Sequence, residues 1–133
     1  MPYLHLDLPI AVSAADRERV AGGLARLYAE LMQTRPEEVT VAFRELGEHG
    51  VLSMRADGQV WPVIVVQLDI RRGRPPEQRE RLAAAIAALL EEVLEWPPSR
   101  TILEFTQHSG DEFWDEPRGL GADWTPDEAA APS

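Results

Sequence analysis

The chain has 133 residues and a formal net charge of -10, with 23 acidic against 13 basic side chains. That length is one domain by prior and enough for a real core, and the acidity argues against nucleic acid or an anionic membrane as partner, since both want a basic surface. Cysteine is absent, which excludes disulfides, zinc–thiolate sites and thiol nucleophiles; with no apolar run long enough to span a membrane and no signal pattern, a cytoplasmic protein is expected.

Tyr3-Leu4-His5-Leu6-Asp7-Leu8 alternates apolar and polar residues, as a strand with one buried face does. Pro9 ends it, and Ser13 offers an N-cap oxygen to a helix running to about Gln33. Val20, Leu24, Leu27 and Leu31 form the apolar stripe of that helix, and Gly22-Gly23 marks a close approach to a sheet. A second strand is expected over residues 39–44, then a loop or hairpin around Val51 to Met54. Pro62 to Ile70 is the most apolar strand and therefore a central one.

The stretch Leu68-Asp69-Ile70-Arg71-Arg72-Gly73-Arg74-Pro75-Pro76-Glu77-Gln78 reads as a strand end, a tight turn and the first turn of a helix. Such turns attract anions, because free helix N–H groups and any cation there point the same way. Arg71, Arg72 and Arg74 are the main local reversal of sign in an acidic chain, and a small anionic ligand suits them. The helix runs from about Pro76 to Leu94, its prolines placed where a missing N–H costs nothing, with Leu82, Ile86, Leu89 and Val93 as its stripe. Residues 101–106 make a fourth strand. Beyond Ser109 the chain is irregular and holds Trp114 and Trp124; residues 126–133 read as a disordered acidic tail.

The two halves repeat. Arg17-Glu18-Arg19 returns 62 positions later as Arg79-Glu80-Arg81, and the same shift pairs Leu6-Asp7 with Leu68-Asp69, Leu27 with Leu89, Pro36 with Pro98 and Phe43 with Phe105. One ungapped shift matching strands as well as a helix indicates a duplicated β-α-β unit. The expected fold is α/β (α+β in some schemes): two tandem units, about 1–60 and 61–125, forming one four-stranded mixed sheet with both helices on one face. The other face, bearing Tyr3, His5, Val63, Val65, Ile102 and Glu104, is then bare and suited to contact other copies of the chain. If the first and third strands pair antiparallel, Pro2 comes to lie beside Arg71, Arg72 and Arg74.

Every basic residue other than histidine is arginine, so amine chemistry here has one source, the terminal nitrogen of Pro2 once Met1 is removed. His5, His49 and His108 are not spaced as a metal set; no metal or cofactor is expected.

Met1-Pro2, two β-α-β units and a Gly-Arg turn before Pro-Pro-Glu-Gln resemble the tautomerase superfamily, in the fused form of malonate semialdehyde decarboxylase and cis-3-chloroacrylic acid dehalogenase. The resemblance implies a trimeric enzyme whose terminal proline acts on a small carboxylate. Pro2 matches the family proline. Arg71 and Arg74 match the dehalogenase's arginine spacing, and Arg72 and Arg74 the decarboxylase's. The dehalogenase's helix histidine falls at Tyr28, a departure that reads as core edge, and its tyrosine and glutamate fall near Glu104 and Asp115. The decarboxylase's aspartate falls near Glu37 or Glu38.

A prolyl amine begins from an α-amino pKa of about 7.7–8.0, and burial beside arginines would lower it toward a useful base; the same nitrogen could instead form an iminium or, if protonated, serve as an acid. The guanidinium fork offers a carboxylate two parallel donors. The ordinary alternative is that Arg71 and Arg72 are turn residues paired with Asp69 or Glu77. Glu104 is either a site acid or an interface ion-pair partner, and Trp114 and Asp115 either wall the pocket or merely pack. Keto–enol tautomerisation of a 2-oxo acid is the first reading, decarboxylation of a 3-oxo acid or hydration and dehalogenation of a 3-haloacrylate the second. A non-catalytic oligomeric ligand-binding module is the competitor from another class, and it gains if Met1 is retained.

Overall fold

The computed structural model describes residues 2–130. A strand, β1 (Tyr3–Leu8), leads to α1 (Ala14–Met32), a 3-10 turn (Pro36–Glu38) and β2 (Thr40–Glu45). A short hairpin follows, β3 (Leu52–Met54) and β4 (Val60–Pro62), and then the second unit: β5 (Ile64–Arg71), α2 (Pro76–Leu94), a 3-10 turn (Pro98–Arg100) and β6 (Thr101–His108). A two-residue ladder follows, β7 (Trp114–Asp115) with β8 (Gly119–Leu120).

The four long strands form one sheet in the order β2-β1-β5-β6, parallel at both outer pairs and antiparallel at the centre. The expected mixed sheet with two helices on one face is what the chain builds. The repeat is kept to the residue: helices and 3-10 turns recur at the same 62-residue shift at both ends. Gln33 and Glu95, related by that shift, both close their helices in the left-handed region, at φ 54° and 56°. Hydrogen bonds repeat too. The Arg17 Nε–H donates to the Val12 carbonyl, and the guanidinium to Glu45; Arg79 donates to the Arg74 carbonyl and to Gln107. In the central pair His5 lies opposite Gln67, its own repeat mate, so the pseudo-twofold axis runs between them.

Leu4, Leu6, Leu8, Ile64, Val66, Leu68 and Ile70 face the helices and are fully buried or nearly so. Above them sit Val20, Leu24, Tyr28 and Met32 of α1 and Leu82, Ile86 and Leu90 of α2. The buried line is therefore a pure fourth-residue row; Leu27 and Leu31, expected in the stripe, are half-buried on its flank with Leu89 and Val93. Gly23 makes its close approach to α2 rather than to the sheet, for a Cβ there would stand 2.9 Å from Leu89 Cδ2.

The opposite face is only partly bare. Tyr3, Ile102 and Glu104 are exposed, and His5 is half-buried, stacked on the Tyr3 ring and bonded to Asp69 at 3.1 Å. Val63 differs from expectation: it is buried where the hairpin joins the sheet, its N–H held by the Val51 carbonyl. The run expected as one strand from Pro62 is broken there, β4 ending at Pro62 and β5 starting at Ile64. Within the expected tail, Glu128–Ala130 form a 3-10 turn, and the Glu128 carboxylate accepts from the Arg71 guanidinium. Residues 131–133 lie outside the described residues, as does Met1.

Candidate active site

Pro2 sits at a core position, buried like its repeat mate Ile64. Its carbonyl accepts the Thr40 N–H at 3.1 Å, and the next residue, Tyr3, lies between Thr40 of β2 and Asp69 of β5. The parallel and antiparallel registers thus bring the beginning of β1 alongside two chain segments, the 3-10 turn ending in Glu38 and the β5 end at Arg71. Both segments border an open cavity of about 290 Å³. Pro2 is not itself among the lining residues, but it belongs to the same end of the sheet.

The cavity is walled by Thr34, Arg35 and Glu38 after α1, by Arg71, and by Trp114, Asp115, Arg118 and Glu128 of the C-terminal segment. Of the residues expected to act, Arg71, Glu38, Trp114 and Asp115 are brought together here. Arg71 is nearly covered, its side chain 10% exposed; it donates to the Ala122 carbonyl at 2.8 Å and to Glu128 at 2.6 Å. Glu128 also accepts from the Thr34 hydroxyl at 2.6 Å. Burial by itself would raise the Glu128 pKa, but these hydrogen bonds and the nearby charges of Arg71 and Arg74 hold it below the usual carboxylate range. Arg118 spans the mouth, donating to Glu38 and, at 2.7 Å, to Asp115, so both carboxylates meet one guanidinium.

The other two arginines of the turn leave the cavity. Arg72 is exposed and pairs with Asp123 at 3.1 Å. Arg74 turns inward, 5% exposed, because its repeat mate is Val12, a core position. Its Nε–H donates to the Met32 carbonyl at 2.8 Å, and its guanidinium lies 4.8 Å from the Trp124 ring and 5.5 Å from the Tyr28 ring. Nη1 and Nη2 are buried with no hydrogen-bond partner among the described residues. Burial accordingly lowers the Arg74 pKa from its ordinary value. Tyr28 is wholly buried beneath it, and burial pushes the phenol up to about 12. Glu104 stands on the open sheet face, across from Gln67 and away from the cavity.

Sequence reasoning missed Arg118, Glu128, Thr34 and Trp124. Three of these follow the last repeated strand, β6, where no internal comparison guides the eye. Its path across the turn depends on two glycines. A Cβ on Gly73, at φ +125°, would stand 2.7 Å from the Trp124 carbonyl oxygen, and one on Gly110 would overlap the Ala122 backbone. Among the described residues no cluster of three or more His, Asp or Glu could hold a metal ion, and no helix is long and apolar enough to cross a membrane.

No protein-family model matches this chain, and no curated protein sequence does. Solved structures do. A member of the cis-3-chloroacrylic acid dehalogenase family, N1, superposes with a TM-score of 0.78 at 22% identity over 90% of this chain and 84% of its own. Pt0534, solved after inactivation by 2-oxo-3-pentynoate, gives 0.75 at 21% identity, covering 90% and 95%. A malonate semialdehyde decarboxylase gives 0.72 at 15% identity, covering 88% and 92%. The fold of this chain is that of the tautomerase superfamily, in the arrangement it shares with the cis-3-chloroacrylic acid dehalogenase family and malonate semialdehyde decarboxylase.

Proposed function

We propose that the chain is a tautomerase-superfamily enzyme that moves a proton on a small 2-oxo acid, with the Pro2 nitrogen as its base and Arg71 holding the substrate carboxylate. One observation carries the reading: a buried Pro2 at the sheet end whose neighbouring segments, at Glu38 and Arg71, border the cavity. Removal of Met1 turns the prolyl nitrogen from an amide into a secondary amine. That amine takes the hydroxyl proton from an enol and a proton is returned to C3, so the product is an isomer and no co-reactant is needed. Arg72 and Arg74 enter as substrate contacts only by the family resemblance. The exposed Tyr3 and Ile102 support assembly as a homotrimer through the open sheet face, and the enzyme is proposed to be cytoplasmic.

A decarboxylase or hydratase reading is favoured by one feature, the carboxylates of Glu38 and Asp115 at the cavity mouth. Incubation with malonate semialdehyde and 3-haloacrylates, followed by product analysis, separates these activities from tautomerisation. The main test is Pro2→Ala assayed with phenylenolpyruvate, beside treatment of the parent protein with 2-oxo-3-pentynoate. Activity should fall by about 100-fold or more, the scale of a lost acid–base group. The alkynyl ketone should add its full mass to the N-terminal peptide, by addition of the amine across the triple bond. Equal activity in Pro2→Ala, or an intact mass showing Met1 still attached, rules out the amine and favours a non-catalytic ligand-binding module.

A further inference from the structure

The C-terminal segment crosses the arginine turn in two parts of different character. Up to Trp124 it is built in. The Trp124 backbone N–H donates to the Arg72 carbonyl at 3.3 Å and its indole N–H to the Gln33 carbonyl at 2.9 Å, while the ring covers Arg74 and the residue is 6% exposed. Gly73 and Gly110 clear the space it needs. Beyond Trp124 the chain turns exposed, and Thr125 and Asp127 bond to each other. Among the described residues this last part is tied to the body of the protein through one group, the Glu128 carboxylate, on Arg71 and Thr34.

A carboxylate on a nearly covered guanidinium, in a cavity, is the arrangement that a carboxylate substrate would adopt. We infer that Glu128 is a built-in stand-in for that substrate: residues 125–130 form a flap, hinged after Trp124, whose carboxylate occupies Arg71 until a substrate carboxylate displaces it. The inference rests on the proposed function, namely that a carboxylate docks at Arg71, and adds that the chain carries its own competitor for the place. Displacement is an exchange of one ion pair for another, so the guanidinium is never left bare. Selectivity follows: a ligand that offers no anion gives the flap no reason to leave.

The test is calorimetric titration of the full chain with sodium pyruvate, comparing the parent protein with Glu128→Gln and Glu128→Ala. Removing the internal competitor should tighten pyruvate binding by about tenfold or more, the worth of one charge-assisted hydrogen bond. An unchanged or weaker affinity in both variants overturns the flap. Arg71→Ala, alone and combined with Glu128→Gln, separates the two claims. If the double variant binds as tightly as Glu128→Gln, the carboxylate does not dock at Arg71 and the functional reading fails with the flap. If Arg71→Ala abolishes binding while Glu128→Gln equals the parent protein, only the flap fails. No binding by any variant overturns both. A measurement without mutation stands beside these: amide exchange in residues 125–130 of the parent protein should rise when pyruvate is added, and unchanged or increased protection refutes displacement.

Discussion

Replacing Arg74 by Met tests whether this arginine is held for its free donors or for the architecture. The change keeps an unbranched chain of similar length at a position whose repeat mate, Val12, is apolar. It removes the Nε–H bond to the Met32 carbonyl, 2.8 Å long, and the stacking on Trp124 and Tyr28. A hydrogen bond from a charged donor contributes about 1.5–3 kcal/mol, and desolvated cation–ring contacts together about 2 kcal/mol. Against this, Nη1 and Nη2 are buried without acceptors, each costing about 1–3 kcal/mol in the folded state. The opposing contributions nearly cancel, leaving a net change within about 3 kcal/mol of zero. With an unfolding entropy of about 2.1 cal/mol/K per residue, the midpoint of thermal unfolding should move by no more than about 11 °C in either direction. On the substrate role that the family resemblance implies for Arg74, pyruvate affinity should nevertheless fall by about tenfold or more, the worth of one charge-assisted hydrogen bond. Thermal unfolding and titration of one preparation give both numbers. A loss of more than about 12 °C with pyruvate binding intact would refute the reasoning and make Arg74 a structural anchor.

Two further outcomes follow from other features. Gly73→Ala should destabilise by about 2 kcal/mol or more, since φ +125° is unfavourable for a side chain and the new Cβ meets the Trp124 carbonyl; thermal unfolding measures the loss, and tryptophan fluorescence should report a shifted Trp124. The ion pair of Glu128 should make stability depend on acidity. Its native pKa is depressed, so its contribution is complete above the ordinary value of about 4.3 and is lost as pH falls through the lower native value. The melting difference between the parent protein and Glu128→Gln should therefore be largest near neutrality and shrink below about pH 4; a difference constant down to pH 3 contradicts the assignment.

The fold was legible because the sequence states it twice. Arg17-Glu18-Arg19 against Arg79-Glu80-Arg81 sets a shift that the helices, the 3-10 turns and even the side-chain bonds of Arg17 and Arg79 obey. Alternation at Leu4, Leu6 and Leu8 fixed which face meets the helices. The fate of each arginine was less legible, since adjacent positions in a tight turn point in unrelated directions. The repeat held a clue, however: Arg74 aligns with a buried valine and so had to turn inward. Arg118 and Glu128 had no such clue. Their roles come from the segment after β6, which folds back across eighty positions or more, as Arg118 reaches Glu38, the Trp124 indole reaches Gln33 and Glu128 reaches Thr34. Local pattern carries no information about a contact of that span.

The pairing of His5 with Gln67 makes the sheet's two ends images of each other, yet a polypeptide has a single amino end. Ile64, the repeat mate of Pro2, lies inside the backbone, where no free amine can form. On the proposed reading, amine chemistry is therefore confined to the end at Pro2, and the matching positions at the far end, such as Val12, carry aliphatic side chains at no catalytic cost.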